Sequence, residues 1–171
     1  MRPRLYYPED VLLRAVGPDD QRLLYRLQIE RYESPIANVR GMAADEQPSW
    51  EQHLAFLARS PYAVHQMIVV EGRAVGVINL DHENVLGCFV LREHHGRGIG
   101  LSACYKLFQV CELPVIAFIN PANRPSYRTV ERLGMERVSA DEQRLEFVLH
   151  RRPDDPFPAR GSRAGRTNSS A

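Results

Sequence analysis

Apolar residues recur along this chain with two periods, and the switches between them mark out its elements. Short alternating or continuous apolar runs predict strands at VLLRAV (11–16), HQMIVV (65–70), RAVGVINL (73–80), NVLGCFVL (84–91), VIAFIN (115–120), MERV (135–138) and RLEFVL (144–149). Between them the spacing lengthens to helical intervals. GPDDQRLLYRLQIERY (17–32) opens with Pro and acids suited to a helix N-terminus and puts Leu24 and Leu27 on one stripe. PSWEQHLAFLARS (48–60) gives Ser49 and Gln52 capping-box spacing, with Trp50, His53, Leu54 and Leu57 at helical steps. Leu101, Cys104, Tyr105, Phe108 and Cys111 follow the i, i+3, i+4, i+7 rule, and NRPSYRTVERLG (123–134) reads as a short helix from Asn123 to a stop at Gly134. Glu71 and Gly72 form a turn tight enough to need positive φ, so the runs on either side predict an antiparallel hairpin.

The resulting order, β-α-α-β-β-β-α-β-α-β-β, is of the α/β (α+β) class. Only ESPIANVRGMAADEQ (33–47) lacks a steady period, which predicts an irregular arm at a cleft. With 171 residues there is room for one domain with a true core and not for two. We place that domain at residues 1–150. The last 21 residues are rich in Pro, Gly, Ser and Arg and predict a disordered tail at 151–171.

Charge alters the picture modestly. Removing the Arg-rich tail leaves 17 basic against 19 acidic side chains, so the domain is slightly acidic and no nucleic-acid partner is expected. Three cysteines with no CxxC pair and no signal peptide point to the cytoplasm, and no apolar run approaches the length that spans a bilayer, so no membrane partner is expected. Monomer and homodimer both stay open.

The densest chemistry lies in LREHHGRGIG (91–100), between a strand and a helix. There Gly96, Gly98 and Gly100 let backbone approach an anion closely, the helix dipole lies behind them, and His95 and Arg97 add donors. A Walker loop needs Gly-Lys-Ser/Thr, which the segment lacks, and a dinucleotide fingerprint needs a third glycine where Leu101 stands. The glycines by themselves leave a phosphate cradle and a bare turn equally open.

HGRGIG (95–100) resembles the acyl-CoA pyrophosphate loop of the GNAT N-acetyltransferase superfamily, with His95 where Gln or Arg is usual. NRPSYRTVERLGM (123–135) resembles the same family's Asn-x-x-Ser helix ending in Glu-x-x-Gly-Phe, with Met135 in the Phe position. The resemblance covers roughly residues 10–150. It implies a GNAT fold, with a single mixed sheet flanked by about four helices and splayed beside the strand that ends at Leu91. It also implies acetyl-CoA as co-substrate, no metal, and direct transfer to a primary amine. Backbone groups of Phe89, Val90 and Leu91 would pair with the pantetheine arm like an added strand. The pyrophosphate would lie on His95, Gly96, Arg97, Gly98, Ile99 and Gly100, so a side chain at position 98 would take the phosphate's place.

Direct transfer needs a base for the amine, a donor to the thioester oxygen and an acid for the thiolate. Glu83 is the first candidate for the base, with His82 and Asp81 beside it; the stretch also reads as a solvated loop. The oxyanion donor is expected from the N–H of Val90 or Leu91. The Tyr that many relatives use as acid falls at Val130, so Ser126 or Tyr127 replaces it. Asn123 either bonds the pantetheine or caps its helix. His94 and His95 have no third ligand at metal spacing, His53 reads as a partly buried residue satisfied in place, and Cys88 as an inert thiol.

The run from Ile29 to Arg59 further resembles the nucleotide-linked amino-sugar acetyltransferases of pseudaminic acid biosynthesis and, less closely, the ribosomal-protein alanine acetyltransferases. That resemblance implies an acceptor site bordered by the arm, with Arg40 on a substrate phosphate, Tyr32 or Trp50 stacked on a base or sugar, and His82 close by. Two alternatives stand beside a small-molecule acceptor: a protein N-terminus, and a regulatory domain that binds acyl-CoA without catalysis.

Overall fold

The computed structural model describes residues 4–37 and 46–158. Seven strands and four α-helices follow the expected order: β1 (Val11–Ala15), α1 (Gln21–Glu33), α2 (Trp50–Ala58), β2 (Tyr62–Val70), β3 (Arg73–Asp81), β4 (Leu86–Val90), α3 (Ile99–Phe108), β5 (Val115–Ile119), α4 (Arg124–Arg132), β6 (Glu136–Ala140) and β7 (Leu145–Leu149). Local chemistry sets their ends. Ser49 Oγ accepts from the Gln52 N–H at 3.2 Å while Gln52 Oε1 accepts from the Ser49 N–H at 2.8 Å, closing the capping box of α2. Glu71 and Gly72 both take positive φ, at 50° and 75°, which turns β2 tightly into β3.

The strands form two sheets, β1-β2-β3-β4 and β5-β7-β6, in which every neighbour is antiparallel. The expected single mixed sheet is therefore divided at its splay. The two halves meet at one isolated parallel bridge, Val85 to Ile116, where β4 and β5 begin side by side. From that closed end the two strands run in the same direction and part, so the chain builds a wedge whose open end carries the loop after β4 and the turn after β5.

Side-chain alternation gives the first sheet two different faces. Ile68, Val70, Val75, Ile78 and Leu80 meet α3, with Phe108 and Ala103 fully buried, in a core that continues into the second sheet through Phe147 and Leu149. On the opposite face Met67, Val69, Val77 and Leu91 meet Leu24 and Leu27 of α1, in a much smaller cluster. Lys106 of α3 spans from its helix to β1, where its Nζ donates to the Val11 carbonyl at 2.6 Å.

The domain boundary expected at His150 moves outward. Residues 151–158 are packed: Arg152 donates to the Phe108 carbonyl at 2.7 Å and the Cys111 carbonyl at 3.2 Å, and Gln109 Nε2 donates to the Pro153 carbonyl at 3.1 Å. Arg132 donates to the Pro156 carbonyl, and Phe157 settles between the rings of Tyr7 and Tyr105. A guanidinium on the last carbonyls of a helix is favourable without any apolar run, which is why composition misread this strap. Residues 159–171 lie outside the described residues. Among the described residues no helix is long and apolar enough to cross a membrane.

Candidate functional site

The open end of the wedge is built around the glycine loop. After β4 a single 3-10 turn (Arg92–His94) leads into Gly96 and Gly98, both left-handed at φ 72° and 77°, and α3 starts at once with Gly98 as its N-cap. The Ser102 N–H donates to the Gly98 carbonyl at 3.0 Å, which leaves the N–H groups before it without intrahelical acceptors and pointing out of the helix end. Two contacts fix the loop from behind: the Tyr6 N–H donates to the Arg97 carbonyl at 2.8 Å, and Ser102 Oγ donates to the Tyr6 carbonyl at 3.0 Å. The Arg97 guanidinium has no ion-pair or hydrogen-bond partner among the described residues. Ile99 contributes only backbone, since its side chain is buried in the core. Such a helix start, with left-handed glycines and an uncommitted cation, fits a pyrophosphate.

The position-98 expectation is corrected by the geometry. A Cβ there would meet the Tyr6 carbonyl at 3.1 Å, on the protein side of the loop. At Gly96 a Cβ would meet nothing within 4 Å, and at Gly100 only Cys88 Sγ at 3.9 Å, so these two positions face the space the ligand would use.

The β4 edge is narrower than expected. Leu91 N–H donates to the Val75 carbonyl at 2.9 Å, and the unbroken register pairs Phe89 with Val77, so antiparallel alternation turns the backbone groups of both Leu91 and Phe89 toward β3. They are committed to the sheet and unavailable to an added strand. Val90 and Cys88 alternate with them and offer their N–H and C=O groups to the wedge. The Val90 carbonyl is met by His95 Nε2 at 2.7 Å, with the imidazole folded back over the strand end. Of the two oxyanion donors expected, Val90 N–H alone faces the opening.

Other expected residues are spread along the wedge. Asn123 Oδ1 accepts from the Ser126 N–H at 3.2 Å, so Asn123 caps α4. Ser126 sits in the first turn of that helix, at the open end. Tyr127 leans on Phe147 at 5.5 Å between ring centroids, and the Glu131 carboxylate, one turn further from the opening, raises the pKa of its hydroxyl. Glu83 lies past the closed end, exposed in the turn between β3 and β4, with its N–H donating to Asp81 Oδ1 at 2.8 Å. The length of β4 separates it from Ser126 and Tyr127, roughly 15 Å at strand rise, so the structure does not bring the proposed base and acid together. His82 Nε2 contacts the Ser60 carbonyl at 3.0 Å and ties that turn to the end of α2.

On the α1–α2 face, Trp50 is already engaged, stacked on His53 at 5.9 Å and edge-on to Tyr25 at 5.3 Å. His53, expected to be satisfied, is buried with Nδ1 on Gln28 Oε1 while Nε2 has no partner among the described residues, and burial lowers its pKa. Tyr32 is half-buried near the end of α1. Arg40 lies outside the described residues. An open cavity of about 580 Å³ lies nearby, lined by Val16, Leu54, Leu57, Tyr62 and His65 among others. Cys88 is half-buried, and its thiol together with burial pushes the free Cys104 thiol well above the ordinary thiol value, so ionisation of Cys104 is suppressed. Among the described residues no three His, Cys, Asp or Glu side chains cluster as a metal site.

Known proteins sharpen this geometry. The model of the acetyltransferase (GNAT) domain matches residues 10–136. The search of curated proteins gives no match. Similar solved structures include Mycobacterium smegmatis RimJ in complex with CoA-disulfide, at 18% identity over 82% of this chain and 81% of that one, TM-score 0.60. FdhC, a nucleotide-linked sugar GNAT, is similar at 12% identity over 88% and 91%, TM-score 0.63. YncA from Salmonella typhimurium, solved with its cofactor acetyl-CoA, is similar at 14% identity over 82% and 93%, TM-score 0.64. The matched stretch takes in the wedge, the glycine loop and all of α4, and by that match the chain belongs to the GNAT acetyltransferase family.

Proposed function

We propose that this protein is an N-acetyltransferase that passes the acetyl group of acetyl-CoA directly to a primary amine of a small molecule, a nucleotide-linked amino sugar being the first candidate. The observation that carries the reading is the pairing of an uncommitted strand edge, Cys88 and Val90, with a helix start behind left-handed glycines at the end of the same strand. One grips an amide-bearing arm and the other an anion, which are the two ends of the non-nucleoside half of acetyl-CoA. The pyrophosphate lies on Gly96 to Gly100 with Arg97 beside it, and the arm runs back along β4 into the wedge. His95 gives up the Val90 carbonyl to the arm and swings out.

In the reaction the neutral amine attacks the thioester carbon. The C–N bond forms as the carbonyl electron pair moves to oxygen, where the Val90 N–H meets it. Collapse then breaks the C–S bond, the thiolate takes a proton and leaves as the free thiol, and the amine gives up its extra proton to water or a base. Ser126, in the turn of α4 nearest the opening, is better placed as the acid than Tyr127, whose ring packs on Phe147 and whose pKa the neighbouring Glu131 raises. Glu83, at the far end, acts through water if at all.

Free-thiol release from acetyl-CoA, followed across a panel of nucleotide-linked amino sugars and peptides with free N-termini, tests the reading. Turnover with an amino-sugar nucleotide is the expected result. Turnover confined to peptides moves the assignment to a protein N-terminus, and a melting shift with acetyl-CoA without any acetylated amine makes the domain a binding module.

A further inference from the structure

The row of residues across the first sheet at the depth of Gly87 is Val16, His65, Asn79 and Gly87, each in register with the next. Asn79 shares its face with Val77, whose cluster meets α1, so its side chain projects on the α1–α2 side. It is 6% exposed, and its carboxamide has no hydrogen bond to any of the described residues. Its polar atoms are not sealed from the surface as His53 Nε2 and His94 Nδ1 are, so the amide stays reachable by a polar ligand. Gly87 makes room for the group: a Cβ there would lie 2.5 Å from Asn79 Oδ1 and 3.1 Å from both Cγ and Nδ2. The carboxamide therefore rests on the bare backbone of β4, one residue from the wedge-facing Cys88. Around it on the same face are apolar or ring groups, with Phe89 one row above and Tyr62 one row below, and Arg31 holds its guanidinium 5.1 Å over the Phe89 ring.

We infer that Asn79 is an acceptor-binding residue, whose carboxamide oxygen receives an N–H of the incoming amine while its NH₂ donates to an oxygen on the neighbouring carbon of the same acceptor. The inference rests on the acetyl-transfer reading above. With the pyrophosphate at the open end and the arm running back along β4, the acetyl end reaches the depth of Cys88 and Gly87, where this amide is the polar group on the opposite side from α3. Both acceptor classes of the panel carry an amine beside a carbon bearing oxygen, an amino sugar through its ring hydroxyl and a peptide N-terminus through its first carbonyl. An amide with one acceptor and two donors matches that pair of groups, and a simple alkylamine satisfies only half of it.

Asn79→Leu keeps the branching at Cγ and removes the polarity, and Gly87→Ala displaces the carboxamide from the partner strand. Both variants are assayed with the panel of amino-sugar nucleotides and peptides, alongside acetyl-CoA binding by calorimetry and thermal melting. The expected result is at least a 30-fold loss of kcat/KM for the acceptor that wild type uses, carried mainly by KM. Acetyl-CoA affinity stays within twofold, and Asn79→Leu melts no lower than wild type. Acceptor kinetics within threefold of wild type in both variants overturn the inference while leaving the acetyltransferase reading standing. A loss of acetyl-CoA affinity or of melting temperature in parallel with activity also overturns it, since a merely structural role predicts that pattern. Failure of the wild-type protein to acetylate any member of the panel overturns the acetyltransferase reading and this inference with it.

Discussion

The two faces of the first sheet are built to different standards. Toward α3 the packing is apolar and continuous, joining both sheets across Phe108 and Phe147. Toward α1 and α2 the apolar cluster is small, and beside it sit polar groups without a hydrogen-bond partner among the described residues: His53 Nε2, which is sealed from the surface, and the Asn79 carboxamide, which is not. A fold that satisfied both faces equally would be more stable, so the contrast separates a face that holds the molecule together from the one on which we place the acceptor.

The largest effect in breaking that contrast is expected on the apolar face. Phe108→Ala deletes a ring with no exposed surface and should cost about 3–5 kcal/mol, read as a loss in denaturant midpoint at unchanged slope. A smaller effect follows from acid. Burial lowers the folded pKa of both His53 and His65, with Asp20 partly opposing the shift at His65. The unfolded chain then binds more protons below its ordinary imidazole value of about 6.5, so stability is full above that pH and falls as pH drops below it. Melting temperature should decline from pH 7 to pH 5, and His53→Phe, which keeps the ring against Trp50, should flatten the decline; an unchanged slope would assign it elsewhere. The smallest effect sharpens the comparison at the loop. Gly100 is helical, and a methyl there meets only Cys88 Sγ, so Gly100→Ala should stabilise the ligand-free fold by about 0.5–1 kcal/mol while weakening acetyl-CoA binding. Tighter or equal binding would remove the phosphate from that side of the loop.

How much of this was legible beforehand follows the range of the interactions involved. Elements written in neighbouring residues were readable: the Ser49–Gln52 cap, the Leu24–Leu27 stripe and the Glu71–Gly72 turn all depend on contacts within four positions. The wedge required pairing between residues far apart in sequence, and Val85 meeting Ile116 has no local signature. Orientation at β4 was lost for the same reason. Whether Leu91 or Val90 faces the opening depends on a register that one strand cannot state, and a slip of one residue exchanges them. The acceptor-side Asn79 had a faint signal, a single amide inside the apolar run AVGVINL, which becomes meaningful only when its face is known. The strap after His150 was misjudged because its anchors are one guanidinium and one ring among prolines, too sparse for composition to register.

Lys106 is the only lysine in the chain, and its ammonium is bonded to the Val11 carbonyl. An acetyltransferase acting on amines, as proposed above, would thus carry almost no side-chain amine of its own to modify. Self-acetylation of side-chain amines, a common background with enzymes of reactive thioesters, has this one lysine as its target, and that one is tethered between α3 and β1. Once hydrolysis is subtracted with a blank lacking acceptor, thiol release reports on the acceptor supplied, and a single lysine makes side-chain self-acetylation visible in one peptide.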